Sequence, residues 1–507
     1  MMKAKIRDYS NNMYKRFIRG IMLVSEYKVL LLTYLYLIIT LFSPSHKIVF
    51  ILSALYFLLL FFLTGSIINT IFYSFYPFWL FRVGRDFVFE VVPKEGVASP
   101  LYWGEGRSLG FVFSPFFILV ATSLVIYFFI ILKDRLRFSV PVFVIFFLIT
   151  YVLHFLSAIN SPYLGGLSLI YTIHEFSFLI WMLIGLSIFK KLQSFKKNKI
   201  LTTLLLILFG MLILESSVVF LQVAKRSVLG LKVEKVASIP YFRAGAEESG
   251  LSFRPVGLSY HPNELANWYV AAVFAIFLLW YKIKDTIPKN LAHFLIVSSA
   301  TLSLVVILLT LSRSAYLALF ITIVIFWLFD RANLIKSVKF LSSYLKNFKV
   351  PILLIFIYFS FILPGRIYGS LYSFSETGGL KTRLEQLKEA LNLIRSPSFL
   401  TGVGEGMYIP ALYDFNPQGN IRFFPEDIHN GFLLFLAERG IVAFFIYLVA
   451  IYFLLRSIIK YEQSKTVRLL MIGGLISNYI MMLFQPFINT LPLNLLITGL
   501  LLKTKKI

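Results

Sequence analysis

Apolar runs of about 20 residues alternate with short polar or basic segments along almost the whole chain, and this is the length that a helix needs to cross a bilayer. A weaker apolar segment at residues 66–81 either crosses, giving about 14 spans, or one early segment does not cross, giving about 12. The pattern predicts spans near residues 28–43, 47–64, 111–132, 138–158, 166–189, 200–222, 265–281, 291–311, 314–330, 350–364, 440–456, 467–486 and 488–502.

Composition supports the same class of protein. The chain has 507 residues, of which 58% are hydrophobic and 14% charged, and its mean hydropathy of +0.81 excludes a soluble domain. Lipid offers no partner to backbone amides, so the spans must be helices. We therefore expect an all-α polytopic membrane protein whose residues 1–507 form one integral membrane domain. Cysteine is absent, which excludes a Cys nucleophile and Cys-ligated metal.

The net charge of +25 does not indicate a nucleic-acid partner, because the basic residues lie in short clusters between apolar runs. By the positive-inside rule these clusters are cytoplasmic. From Phe111 onward the alternation is self-consistent: the connections near Asn160 and Ser312 and the longer ones at 223–265 and 365–430 then lie outside. A smaller outer loop is expected at 81–110, where the alternation at 86–92 suggests one short strand.

The first long outer loop ends in a candidate anion site. Pro262 and Asn263 are typical of a helix start, with Asn263 able to cap the first turn. A capped helix N-terminus attracts anions, and Arg254 could add a bidentate clamp for phosphate. The alternative is an ordinary helix cap beside a solvated arginine.

The second long loop contains a predicted amphipathic helix in KTRLEQLKEALNLIR, with Leu384, Leu387, Leu391 and Ile394 at helical spacing. It is expected to lie on the membrane or on the helix bundle. The glycines of TGVGEG then turn the chain, which by itself is a weak signal.

His429 closes this loop, immediately before Asn430 and the next apolar helix. A histidine at the boundary between two phases has a pKa range suited to a general base near neutral pH. Glu426 or Asp427 could orient its ring, although loop carboxylates are usually solvated. A lone His is also often a structural hydrogen-bonding residue.

Arg313 lies in a tight outer hairpin, Ser312-Arg313-Ser314, between two apolar spans. Its side chain either snorkels to the headgroups or binds an anion. By topology Arg254, Arg313 and Arg383 share the outer face with His429, and together they fit a site for a lipid-linked diphosphate.

Charged residues inside the predicted spans are few, and three acidic or histidine side chains there could carry a function. His174 and Glu175 near the middle of one span are expected either to hydrogen-bond to other helices or to relay protons, whereas Glu215 is expected to be solvated at the outer interface.

These residues resemble the superfamily of O-antigen ligases and Wzy-type polymerases, which are bacterial envelope glycosyltransferases. The ligase signature is His, then Asn, Ser or Gln, nine residues, Gly, two more residues, and Gly, Thr or Tyr. His429, Asn430 and Gly440 match it, while Ala443 replaces the last position and weakens the choice of ligase over polymerase.

Other features of the family resemble this sequence in the same order between Val223 and Ala443. They are an Arg and Gly ahead of Pro-Asn at a span start, a Ser-Arg hairpin, and a loop Arg followed by a Gly-Val-Gly-x-Gly turn. The corresponding residues are Arg254, Gly257, Pro262 and Asn263; Ser312 and Arg313; and Arg383 with Gly402, Gly404 and Gly406.

The resemblance implies a GT-C-like enzyme that moves a glycan from a polyprenyl-diphosphate carrier to an acceptor hydroxyl at the outer face of the inner (plasma) membrane, without a nucleotide cofactor or metal. His429 would be the general base. Arg254, Arg313 and Arg383 would hold the diphosphate. Asn263, Asn430, Gly404 and Gly440 would support the site.

The acceptor stays open between a glycolipid core sugar, a second lipid-linked repeat and a protein hydroxyl, the last having least support. The main alternative from another class is a solute or lipid-glycan transporter, in which His174 and Glu175 would serve proton coupling. A purely structural membrane protein would leave the matched motifs unexplained.

Overall fold

The computed structural model describes residues 27–81, 85–93, 106–119, 121–122, 125, 141–176, 179, 194–234, 242–244, 252–259, 261–345, 379–395, 399–422 and 425–485. Seven helices within these ranges are long and apolar enough to cross a membrane. The protein is thus an all-α polytopic membrane protein, as the sequence predicts. The predicted total of about 12 to 14 spans stays a prediction, because the spans at 350–364 and 488–502 lie outside the described residues.

The first described part consists of three helices and a hairpin. Ser45 and Ser66 cap the second and third helices with their side chains, and Gly65 ends the second in a left-handed conformation. The elements are α1 (Tyr27–Leu41), α2 (His46–Thr64), α3 (Ile67–Leu80), β1 (Arg85–Pro93) and β2 (Gly106–Phe113). The strands pair antiparallel, so a strand does form at residues 86–92, and the predicted start of a span at 111 is too early because Phe113 still belongs to β2.

The hairpin is followed by helical residues at 116–119, 121–122 and 125, and then by α4 (Val142–Ile159), α5 (residues 165–176) and α6 (Ser194–Lys225). A tight turn after α4 reverses the chain at Asn160, where the sequence predicts an outer connection. After α6, the short strands β3 (Phe242–Ala244) and β4 (Ser252–Arg254) form a second antiparallel pair in the first of the two long loops that are predicted to lie outside, which we call the first outer loop.

The helix α7 (Pro262–Ile283) lies at the centre of the bundle, and most of its residues are buried. It packs against α6 and against α8 (Lys289–Leu309) and α13 (Lys465–Met482). Its first turn is the predicted helix start, so the bundle core directly anchors the end of the first outer loop. The adjoining helix α9 (Arg313–Leu345) is interrupted at Asp330, which marks the end of its membrane-spanning part.

The second long loop, which is predicted to lie outside the membrane, folds around a small apolar core that also includes Leu167 of α5 and Leu434 and Ala437 of the next helix. It contains α10 (Gly379–Ile394), α11 (Tyr408–Phe415) and a 3-10 turn at Asn420–Arg422. We call residues 379–395, 399–422 and 425–430 the outer unit. Its core is separate from the main core of the bundle and includes Ala390, Leu393, Val403, Met407, Tyr408, Leu412, Ile421 and Ile428.

The packed face of α10 overlaps the predicted one only in part. Ile394 is buried and Leu387 packs against the same core, but Leu384 and Leu391 are 47% and 37% exposed, whereas Gln386, Ala390 and Leu393 are buried. The helix is amphipathic, as predicted, but its sequence has apolar residues on two adjoining faces. The outer unit covers one of them, so the predicted stripe was rotated relative to the real contact.

The helix α12 (Gly431–Tyr461) follows the outer unit and packs along α4. Gly440 has φ 78° and ψ 167°, values that interrupt the helix. The element is therefore a nine-residue segment, 431–439, followed by the membrane-spanning part, and the span predicted to begin at 440 begins at this break.

Candidate active site

Arg254 joins the end of the first outer loop to two other segments. Its Nε donates a hydrogen bond of 2.8 Å to the Thr310 carbonyl, and its Nη2 donates one of 2.9 Å to Oδ1 of Asn263. The side chain is buried, and both of these acceptors are neutral. Arg254 at the end of β4 is thus held by Thr310 and by the start of α7. A solvated arginine would not be held in this way.

His261, not Asn263, caps helix α7. Its Nδ1 accepts a 3.0 Å hydrogen bond from the Asn263 amide, while the Asn263 side chain binds Arg254. The prediction that Asn263 is the cap was wrong, because Pro262 occupies the first helical position and the residue before it must cap. Since Nδ1 accepts this bond, the neutral His261 ring carries its proton on Nε2.

Glu215 is buried with 1% exposure and does not face solvent as the sequence predicted. Its Oε1 accepts a 2.8 Å hydrogen bond from the Leu258 amide, and a Cβ at Gly257 would overlap this carboxylate. Oε1 of Gln222 likewise accepts hydrogen bonds from the backbone amides of Val256 and Gly257, at 3.1 and 2.8 Å. A buried carboxylate needs such donors, and here the turn after Arg254 supplies one.

The hairpin between α8 and α9 presents Arg313 at the surface. Leu311 adopts a positive φ of 53°, which makes the turn tight. Ser312 and Ser314 lie with their hydroxyls 3.2 Å apart, and Gln485 donates to Ser314 at 2.8 Å. Buried contacts therefore fix both flanking serines while the Arg313 side chain itself is exposed.

His429 lies directly before the N-terminus of α12. Asn430 caps the helix, accepting hydrogen bonds from the Phe432 and Leu433 amides at 3.1 and 3.0 Å. The His429 side chain is half-buried, and its Nδ1 is buried with no hydrogen-bond partner among the described residues. A buried polar atom of this kind is costly unless a ligand or water completes it.

The predicted site residues act on one another electrostatically. Burial, together with the charges of Arg254, His429 and Arg383, lowers the pKa of His261 to about 3. Loss of hydration and the charge of Arg313 lower the pKa of Arg383. Such effects require short separations, so the structure brings the three arginines and both histidines into one neighbourhood.

The same neighbourhood sets the protonation of His429. Burial and then the charge of Arg383 lower its pKa to about 4, against the opposing effect of Asp427. Glu426 acts on Arg383 in turn. The imidazole is therefore neutral at pH 7 and able to accept a proton. We call Arg254, Arg313, Arg383, His261 and His429 the cationic cluster.

The glycine turn packs against the break in α12. The amides of Val403 and Gly404 donate to the carbonyls of Ala437 and Glu438 at 3.0 and 2.9 Å. A Cβ at Gly402 would overlap the Glu438 carbonyl, and one at Gly440 would overlap the Leu400 carbonyl. The glycines are needed because two stretches of backbone approach each other here.

Sequence reasoning missed a second charged group, centred on Arg439. Its Nη2 donates to Glu405 Oε1 at 2.5 Å and to Glu175 Oε2 at 2.6 Å, and its Nε contacts the other Glu405 oxygen. The guanidinium also lies over the Phe435 ring, 4.3 Å from its centroid. The available signal was the adjacent charged pair Glu438-Arg439 within an otherwise apolar run.

His174 and Glu175 have different surroundings. The His174 ring packs against Phe116 and Phe117, each 5.4 Å away between centroids, whereas Glu175 binds Arg439. Glu175 thus makes the contact to another helix that the structural alternative predicted. In the described part of the chain, no group of three or more His, Cys, Asp or Glu side chains could hold a metal ion.

Comparisons with known proteins add one finding. No curated protein matches the chain. Residues 298–448 match the sequence model of the O-antigen ligase family, a segment that contains Arg313, Arg383 and His429 but not Arg254. The resemblance predicted from the sequence is confirmed over this segment, whose sequence is similar to that of O-antigen ligases.

Proposed function

We propose that this protein is a membrane glycosyltransferase that moves a glycan from a polyprenyl diphosphate to a sugar hydroxyl at the extracytoplasmic face. The observation that carries the proposal is the cationic cluster around the neutral His429, most of it within the matched domain. The family match supports a glycan-transferring membrane enzyme in general; the donor, the acceptor type and the residue roles are our inference.

The reaction requires two things from the protein. As the bond between the anomeric carbon and the diphosphate oxygen breaks, negative charge builds up on the departing diphosphate, and Arg254, Arg313 and Arg383 would stabilise it. As the acceptor oxygen bonds to that carbon, its proton passes to the His429 imidazole. The donor is already activated, so these residues supply charge stabilisation and one base.

Bound diphosphate would also make His429 a stronger base. A base with a pKa of about 4 is neutral at pH 7 but accepts protons weakly. An anion beside Arg383 offsets the charge that lowers this pKa, so donor binding would raise the pKa of His429 toward its ordinary value. The site would thus gain a stronger base only when the donor is present.

The transporter alternative depended on proton coupling through His174 and Glu175. The ion pair between Glu175 and Arg439 gives this carboxylate a structural role, and His174 packs between aromatic rings. No observation in the described residues favours transport over transfer.

The test is glycan transfer by purified protein in detergent with a synthetic polyprenyl-diphosphate oligosaccharide, comparing wild type with His429→Ala. The matched control is His46→Ala, since His46 binds the Lys232 carbonyl 2.8 Å away in another part of the molecule. We expect loss of transfer only in His429→Ala. A ladder of extended products would identify a polymerase and a single product a ligase; equal transfer by all three proteins would refute the proposal.

A further inference from the structure

His429 depends on a short piece of helix for its position. The segment 431–439 begins at the Asn430 cap next to His429 and ends at the break at Gly440. At a rise of about 1.5 Å per residue it is roughly 13 Å long. Whatever holds the far end of this segment therefore sets the direction in which its near end, with His429, points.

Arg439 holds that far end from two sides. One side of its guanidinium binds Glu405 in the outer unit, and Nη2 also binds Glu175 on α5. Arg439 is 4% exposed, and Glu405 is buried as well. The fork geometry of arginine allows both carboxylates to be bound at once, which the single ammonium of a lysine cannot reproduce.

Backbone contacts meet at the same point. The Glu438 carbonyl accepts hydrogen bonds from the Gly404 amide and from Ser157 Oγ, both at 2.9 Å. Ser157 lies on α4 and Gly404 in the outer unit. The end of the segment is thus a junction between the outer unit and the membrane bundle.

The two sides of this junction carry different parts of the cationic cluster. The outer unit carries Arg383 and His429, whereas Arg254 and Arg313 are held on the bundle through α7, Thr310 and the hairpin between α8 and α9. The relative position of base and arginines therefore depends on how the outer unit is attached to the bundle.

Stability alone is a poor explanation for such a group. Arg439 stands among three carboxylates, those of Glu405, Glu175 and Glu438, and desolvating charges often costs as much as their attraction returns. Directional hydrogen bonds that orient one segment are the better-attested gain from buried charge.

We propose that Arg439 is a positioning residue: by binding Glu405 and Glu175 together, it holds His429 and Arg383 of the outer unit in line with Arg254 and Arg313 of the bundle. This inference rests on the proposed function above. It assigns no contact between Arg439 and the substrate.

The main test variant is Arg439→Lys, which keeps the positive charge and so the balance of the buried group, but loses the fork. We expect kcat to fall at least about tenfold while the KM for the donor changes less than about threefold, because misplacing a base by about 1 Å slows chemistry more than binding. A second variant, Glu175→Gln, releases only the bundle side and should lower kcat in the same way.

The double variant separates positioning from general damage. Arg439→Lys and Glu175→Gln interrupt the same link, so their combined effect on kcat should be close to that of either alone.

The matched control is Glu462→Gln. Glu462 is also a buried carboxylate in an ion pair, with Lys282 Nζ at 2.9 Å, but it lies beyond the other end of α12. The Glu462→Gln substitution should lower the melting temperature without changing kcat per folded molecule.

Two outcomes would overturn the inference and leave the proposed function standing. One is loss of transfer in His429→Ala with kcat within twofold of wild type in Arg439→Lys and Glu175→Gln. The other is a parallel fall of melting temperature and total activity with unchanged kcat of the folded fraction, as in the control. Transfer that survives His429→Ala would instead refute the proposed function itself.

Discussion

Two groups of charged side chains lie at the two ends of the same nine-residue helix segment. At the C-terminal end, Arg439 is buried and binds Glu405 and Glu175. At the N-terminal end, His429 lies among arginines that act on one another, since Arg313 lowers the pKa of Arg383. The first group pairs its arginine directly with two carboxylates, whereas in the second the arginines act on one another and the carboxylates of Glu426 and Asp427 act on the cluster as well.

The charge of Arg313 acts on Arg383 more strongly than Glu426 opposes it, so holding these arginines close together costs electrostatic energy. A structural group reaches its lowest energy through internal pairing, as Arg439 does. A group that binds an anion must keep its cations at separations that suit the ligand, and it tolerates their repulsion until the ligand arrives. The contrast assigns stability and alignment to the Arg439 group and binding to the cationic cluster.

The largest expected effect is a difference between the two groups in how much a substitution lowers the free energy of unfolding. Arg439→Ala leaves the buried Glu405 and the partly buried Glu175 without their cation and should lower the free energy of unfolding by about 3–5 kcal/mol. Arg383→Ala removes an exposed side chain and should change it by less than about 1 kcal/mol. Chemical unfolding in detergent measures both, and equal losses would remove the distinction between the groups.

For ligand binding the larger effect is expected at Arg383 and not at Arg439. Arg383→Ala should weaken donor binding about 10- to 100-fold, because a charge-assisted hydrogen bond to diphosphate contributes about 1.5–3 kcal/mol. Arg383→Lys should recover part of this affinity, since lysine keeps the charge. Competition by a diphosphate analogue gives the dissociation constant, and unaltered affinity in Arg383→Ala would exclude Arg383 from the site.

The contact between the glycine turn and the helix break should be sensitive to a single methyl group. Gly402→Ala adds a Cβ against the Glu438 carbonyl at a φ of +78° and should cost about 2–3 kcal/mol of unfolding free energy. The control is Gly230→Ala, at a φ of +88° with open space around the Cβ, which should cost about 1–2 kcal/mol for the backbone alone. Equal costs would show that the close approach adds nothing.

The smallest expected effect is a difference between two pH profiles. Protonated His429 cannot act as a base, so kcat/KM, which reports the free enzyme, should fall as the pH drops through about 4. The acid limb of kcat reports the donor complex and should lie at higher pH, because bound diphosphate offsets Arg383. Initial rates at saturating and limiting donor give both profiles, and coincident limbs would argue against an anion beside His429.

The sequence predicted most of the fold because apolar length and basic connections report spans directly. The start of α7, the amphipathic α10 and the part of α12 after Gly440 occur close to the predicted positions. The errors have local causes. Asn263 was expected to cap a helix that His261 caps, and Glu215 was expected to face water although a backbone turn buries it.

The candidate site was predictable only in part. Arg254, Arg313, Arg383 and His429 could be grouped by topology, since all fall in predicted outer loops. The Arg439 group could not, because its three members are far apart in sequence, at positions 175, 405 and 439, and only the packing of α5, the outer unit and α12 brings them together. Local patterns report local structure, whereas a long-range ion pair depends on tertiary contacts.

If the arginines of the cationic cluster bind the donor while His429 acts on the acceptor, one measurement separates these roles. Donor binding and single-turnover transfer are compared in wild type and His429→Ala. Binding should stay within about threefold while transfer falls at least about 100-fold, the usual range for loss of a general base. Transfer at the wild-type rate, or loss of binding equal to the loss of transfer, would contradict this assignment of roles.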